Sequence, residues 1–141
     1  ATQKNLPTDI AIFSAAVADF KISKQSQSKI KKQQNLNIKL EKNIDILNYV
    51  SNHNSMRPKL VIGFAAETDD LDKNANIKLS TKNCDWIIAN DISRKDSGFD
   101  SDYNEVTIHY KNSKYKKEKL VLKKKSEISE QIVDRITSLI N

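Results

Sequence analysis

A single cysteine, Cys84, rules out an internal disulfide and a thiolate metal cluster, and its apolar neighbours Trp86, Ile87 and Ile88 predict a buried structural thiol. The two glycines, Gly63 and Gly98, do not form a Walker-type phosphate loop. Aromatic residues are 6% of the chain, and no apolar run approaches the ~20 residues that cross a bilayer. The first nine residues lack the basic, apolar, small-residue order of a secretory leader. These absences predict a soluble, cytoplasmic chain with no membrane partner. No Ser-His or Cys-His triad is legible, and His53 and His109, without partners at metal spacing, read as ordinary surface residues; no metal-ligand set is expected. Arginine is scarce too, at Arg57, Arg94 and Arg135 alone, which argues against a dedicated reader of DNA bases.

What the chain does have is lysine and short apolar runs. Its 141 residues suit one domain, and the formal charge of +6 suits an anionic ligand, a nucleoside triphosphate or a nucleic acid alike. Asp9 to Val17 reads as a strand buried on both faces, Lys21 to Asn35 as a mobile surface loop, and Leu36, Ile38 and Leu40 as a half-buried strand. A helix capped by Asn43 or Asp45 follows, with Ile46, Leu47 and Val50 at helical spacing. Lys59 to Ala66 and Asp85 to Asn90 are further buried strands, separated by a helix from Leu71 to about Lys82 with an acidic start. Val106, Ile108 and Tyr110, then Leu120 and Leu122, predict an antiparallel hairpin at the sheet edge. Ser126 and Ser129 offer caps for a last helix with Ile132, Val133, Ile136, Leu139 and Ile140 on one side. The expected class is α/β, a mostly parallel sheet with right-handed crossovers and an antiparallel edge.

Parallel sheets bind ligands beyond the carboxyl ends of their strands, where loops and helix N-termini converge. Three such ends carry small residues with an acid: Ala15, Ala16 and Ala18 before Asp19; Gly63, Ala65 and Ala66 before Glu67; and Ala89 with Asn90 before Asp91. Small side chains let a ligand approach the backbone, and the acids supply acceptors for a ribose or a metal-bound water; packing of helices on the sheet is the competing use of the same alanines. Lys29, Ile30, Lys31 and Lys32, in the loop after the first strand, can fold over an anion or simply meet water. Lys78 and Lys82 share one helix face.

Taken together, AAVADF, KIKK, NIDIL, GFAAET, the Lys78 and Lys82 pair, and CDWIIAND followed by GFDSDYNEV closely resemble phosphopantothenoylcysteine synthetase, in order from about Asp9 to the last helix. That family is the CTP-dependent, C-terminal domain of the bifunctional coenzyme A biosynthesis flavoprotein. The resemblance implies a dimeric ligase on a Rossmann-like three-layer fold, spanning residues 1–141 as one domain. Its substrates are 4'-phosphopantothenate and cysteine. The carboxylate of 4'-phosphopantothenate attacks the α-phosphate of CTP, with Mg2+ assisting, and cysteine displaces CMP from the acyl-cytidylate. By position it implies CTP contacts at Asp19, Lys29, Asn43, Ile44, Asp45, Ile46, Phe64, Lys78 and Lys82, with Lys29 the catalytic group in a loop that closes over the intermediate.

Two departures accompany the resemblance. Asn43-Ile44-Asp45-Ile46 stands where the family has an NPDI-type segment, so the proline at the first helical position is gone. The family's upstream Gly-rich phosphate segment and its flavin-binding decarboxylase half have no counterpart, so no FMN is expected and the chain resembles a truncated domain with an exposed sheet edge or open core. The expected alternatives are a ligase completed by a chain supplying that half, or a remnant acting only as a partner-dependent module. A nucleic-acid site at Lys116 to Lys125 is disfavoured, because lysines there serve equally as guards of an edge strand.

Overall fold

The computed structural model describes residues 1–24, 26–29, 37–93, 101–112 and 116–140. Among these residues seven strands and three α-helices follow in the order β1 (Ile10–Phe13), β2 (Phe20–Ile22), β3 (Leu40–Lys42), α1 (Ile46–Ser51), β4 (Leu60–Glu67), α2 (Leu71–Lys82), β5 (Trp86–Asp91), β6 (Tyr103–Tyr110), β7 (Lys117–Lys124) and α3 (Lys125–Ile140). The main sheet has the order β1-β4-β5-β6-β7; β1, β4 and β5 run parallel, and β6 and β7 form the antiparallel hairpin. β2 and β3 pair with each other in a separate two-stranded ribbon.

Alternation along β4 and β5 divides the core into two layers. Leu60, Ile62, Trp86 and Ile88 point to one face, where Val106, Ile108 and Leu120 join them under Ile128, Ile132 and Ile136 of α3. Val61, Ala65, Ile87 and Ala89 point to the other, under Val50 of α1 and Ala75 and Leu79 of α2. Both helices present apolar residues four apart, the spacing that makes a stripe on a 3.6-residue helix. Gly63 faces α1, and a Cβ there would stand 2.6 Å from Leu47 Cδ2. Cys84 is fully buried, and that burial pushes its thiol up to about 11.

At the amino ends of β4 and β5, Asp85 Oδ2 accepts from the Val61 amide (2.7 Å), and both Asp85 oxygens accept from Arg57 Nη2 (3.0 and 3.1 Å). Arg57 also donates to the carbonyls of Ser51 and Pro58. One guanidinium thus ties the exit of α1 to two neighbouring strands, a use that only a planar five-donor group can fill.

Several expectations change. The first strand is an edge rather than doubly buried: among the described residues β1 pairs with β4 alone, and Ile12 is 49% exposed. β3 is shorter than Leu36, Ile38 and Leu40 suggested, and Ile38 and Leu40 are exposed because nothing among the described residues covers the ribbon; Leu36 lies outside the described residues. The Lys21 to Asn35 segment begins inside β2, and residues 25 and 30–36 lie outside the description. In α3, Val133, Leu139 and Ile140 are exposed, since the buried stripe runs through Ile128 instead; Ser126 and Ser129 sit inside the helix, and Ser129 bonds the Lys125 carbonyl.

His109 is not on the surface. It is 1% exposed, because alternation on β6 turns it inward under the first turn of α2, with Nε2 3.3 Å from Asp72 Oδ1. At that separation Nε2 makes no aligned hydrogen bond to the carboxylate among the described residues, and burial, which favours the neutral ring, lowers the imidazole pKa despite the nearby Asp72. His53 is half-buried and accepts from the Met56 amide through Nδ1.

Candidate functional site

Because β1, β4 and β5 are parallel, their carboxyl ends open on one rim. Phe13 lies beside Gly63, while Glu67 lies beside Asp91 and Ala66 beside Asn90. β1 stops short of β4, and the chain that follows it, including Ala15, Ala16, Val17, Ala18 and Asp19, is exposed. Ala89 is buried in the sheet, so packing accounts for it, whereas Asn90 and Asp91 are half-buried at the rim. Asp91 Oδ1 accepts from the amide (2.9 Å) and hydroxyl (2.6 Å) of Ser93, which turns the chain sharply after β5.

The Asn43–Ile46 segment is held against this rim. Asn43 donates through Nδ2 to the Ala18 carbonyl (2.7 Å) and through its amide to the Asp19 carbonyl (2.8 Å). Asp45, rather than Asn43, is the N-cap of α1: Oδ1 accepts from the Asn48 amide at 2.9 Å. A proline is therefore not needed to start this helix; the acid supplies the first acceptor. Ile44 is exposed, and Ile46 packs beside the α1–α2 layer.

α2 brings Lys78 and Lys82 to the same face of the sheet. Lys82 bonds Asp45 Oδ2, and Lys78 Nζ lies 2.6 Å from Glu67 Oε1. Glu67 Oε2 accepts from Asn74 at 3.3 Å. Burial pulls the Asp45 carboxyl upward, but the Asn48 amide and the Lys82 ammonium outweigh it and hold its pKa below the usual value. Asp45 with Lys82 and Glu67 with Lys78 therefore form a constellation of two ion pairs along one face of α2, beside which Asn43 donates to the backbone carbonyls of Ala18 and Asp19, whereas Phe64 and Lys29 stand apart from it. Phe64, 38% exposed, projects from the opposite face to Gly63 and Ala65. Lys29 is exposed between β2 and β3 and makes no ion pair with the constellation among the described residues; Ile30, Lys31 and Lys32 lie outside them.

The carboxylate partners of the lysines were not foreseen from the sequence. Glu67 and Lys78 are joined by a strand-to-helix turn, and Asp45 and Lys82 are 37 positions apart, so no spacing rule links them. The helix-capping role of Asp45 was the one legible signal. Among the described residues no three His, Cys, Asp or Glu side chains converge to hold a metal ion. A wider hollow of about 1050 Å3 lies at the opposite rim, lined by Trp86, Tyr110, Glu118 and Arg135 among others. There Arg135 Nε and the Tyr110 hydroxyl both donate to Glu118 Oε2 at 2.9 Å, so its principal cation is already occupied. At the hairpin edge, Lys117 pairs with Asp72 and Lys119 with Glu105, in keeping with an edge-strand use of those lysines.

A parallel three-strand centre, an antiparallel hairpin and helices on both faces define a Rossmann-like three-layer α/β domain. The sequence pattern of the DNA/pantothenate metabolism flavoprotein C-terminal domain family matches residues 1–140, and this chain belongs to that family. The coenzyme A biosynthesis bifunctional protein CoaBC of Bacillus subtilis is 37% identical over 140 residues, covering 94% of this chain and 32% of that protein. A cysteine/cysteine sulfinic acid decarboxylase from an unknown prokaryotic organism is 37% identical over 133 residues, covering 94% of this chain and 36% of its own. Among solved structures, the C-terminal domain of CoaBC matches with a TM-score of 0.69 at 30% identity, over 97% of this chain and 56% of that one. The chain thus spans about a third of the length of these curated relatives. No helix among the described residues is long and apolar enough to cross a membrane.

Proposed function

We propose that this chain acts in coenzyme A biosynthesis, in the cytoplasm, as the nucleotide-handling part of a CTP-dependent ligase that joins 4'-phosphopantothenate to cysteine. The observation that carries the reading is the gathering of Asn43, Asp45, Lys78 and Lys82 at one strand-end rim, although the loop and the helix they come from are joined by a contact spanning 37 positions. Two lysines on one helix face suit a leaving pyrophosphate, and the backbone of the Asn43 loop suits a ribose or base edge. Mg2+ in this reading travels with the triphosphate, as a cation that keeps most of its ligands from water and phosphate. Phe64 borders the rim from the other face and offers an apolar surface to the nucleotide; Lys29 reaches it only if its loop closes.

Thermal unfolding with and without CTP and Mg2+ tests the nucleotide site, because a ligand bound only by the folded state raises its stability, by about 2.7 kcal/mol at a hundredfold excess over Kd. The expected rise disappears in Lys78→Ala or Lys82→Ala. For Lys29→Gln, turnover falls further than CTP affinity; equal losses count against loop closure.

A second reading, a partner-dependent module without catalysis of its own, is favoured by the open edge of β1 and the uncovered apolar face of the β2–β3 ribbon. The partner is then a second copy or a chain that supplies the rest of the domain. A cooperatively folded protein with no CTP response selects this reading.

A further inference from the structure

Both lysines that the nucleotide reading assigns to the triphosphate already hold a carboxylate. Lys82 holds Asp45. Lys78 holds Glu67, whose side chain is only 14% exposed. The two acids are fixed independently of the lysines, Asp45 by capping α1 at Asn48 and Glu67 by accepting from Asn74. Glu67 Oε1 differs in one respect: it is buried and receives no directed hydrogen bond among the described residues, because the Lys78 ammonium is close but out of line. Lys82 does hold Asp45 along a hydrogen bond, so what the two pairs share is opposite charge and not direction. A phosphate oxygen can offer each ammonium the same charge-assisted contact.

We propose that Glu67 and Asp45 are resident counter-ions of the site: they neutralise Lys78 and Lys82 in the free protein, and a polyphosphate binds by taking both lysines from them. The inference rests on the nucleotide reading above and adds the state from which binding starts. Two carboxylates remain beside the bound anion, and their repulsion lowers its affinity. Such a rim rejects an anion that can engage only one lysine weakly, and it assists departure of the polyphosphate when the reaction is over.

Glu67→Gln and Asp45→Asn test this by replacing each charge with an amide of nearly the same shape; Asn retains the capping acceptor of α1. The probes are inorganic tripolyphosphate and CTP, titrated calorimetrically into the wild type and each variant. Each variant is expected to bind tripolyphosphate about two- to fivefold more tightly, the range of a partly exposed ion pair. Adding Lys78→Ala is expected to cancel the gain from Glu67→Gln. Unchanged or weaker binding by Glu67→Gln with its unfolding midpoint intact, or by Asp45→Asn if Glu67→Gln unfolds, overturns the counter-ion role and makes the acids orienting groups. Absence of tripolyphosphate binding in every protein overturns it as well. If the variants tighten tripolyphosphate but CTP binds no better than tripolyphosphate, the counter-ion role stands and the nucleotide reading falls.

Discussion

The two margins of the molecule differ in how they are finished. At one, β6 and β7 close the sheet under α3, with Ile108 fully buried and Leu120 nearly so, and the charges of the hairpin are paired across to α2 and within it. At the other, β1 contributes four residues to the sheet edge, and the ribbon of β2 and β3 exposes Phe20, Ile22 and Leu40 on one side. The register places these three on a common face, while Lys21 and Glu41 pair on the reverse. The amphipathic pattern of a folded ribbon is therefore present without the layer that would cover it. The contrast separates the part of the chain that carries stability from the part that carries the exposed ribbon and Lys29.

The strongest test of that separation is Ile88→Ala. Ile88 is fully buried between α3 and the sheet, and its loss should cost about 2–5 kcal/mol in denaturant unfolding. A smaller and pH-dependent effect is expected from Glu118→Gln in the covered margin. The Arg135 hydrogen bonds hold the Glu118 carboxyl below its ordinary pKa, with burial opposing and Tyr110 adding. A carboxyl depressed in the folded state stabilises above its unfolded value of about 4.3 and loses that contribution as pH falls through the folded value. The wild type should therefore be the more stable protein at neutral pH, and the difference from Glu118→Gln should shrink in unfolding curves recorded below about pH 4. The least effect belongs to the open margin: Ile22→Ser should change the unfolding free energy by no more than about 0.5 kcal/mol. A loss from Ile22→Ser approaching that of Ile88→Ala would mean that the ribbon is covered in solution and the contrast is mistaken.

Legibility in the sequence follows the same division. LVIGFAAE and WIIAND could be read as central strands because both faces of a buried parallel strand are apolar, and a continuous run is the only pattern that satisfies them. IAIF has the same composition but sits at an edge, since a run reports apolar character and not the number of neighbouring strands. In α3 the sequence holds two overlapping apolar stripes, one through Ile132 and Ile136 and one through Val133 and Ile140; only the sheet beneath selects the first. His109 was misread because a polar residue alternating with Ile108 and Tyr110 looks solvent-facing until α2 covers that side. At the rim, the Asn43 to Ile46 segment and the two lysines were found by pattern, whereas their contacts with Ala18, Asp45 and Glu67 depend on packing of elements distant in the chain.

Gly63 gives this arrangement its scale. With no side chain between them, Leu47 rests directly on β4, where a methyl group would stand 2.6 Å from its Cδ2 and 3.0 Å from Ile87 Cδ1. The depth at which α1 seats on the sheet is thus fixed by a missing atom. Asp45 stands at the head of that helix, so the gap it spans to Lys82 is gauged at a glycine on a different element from either charge. An added methyl would act as a shim, lifting the helix and changing the fit of the rim while leaving each of its side chains in place.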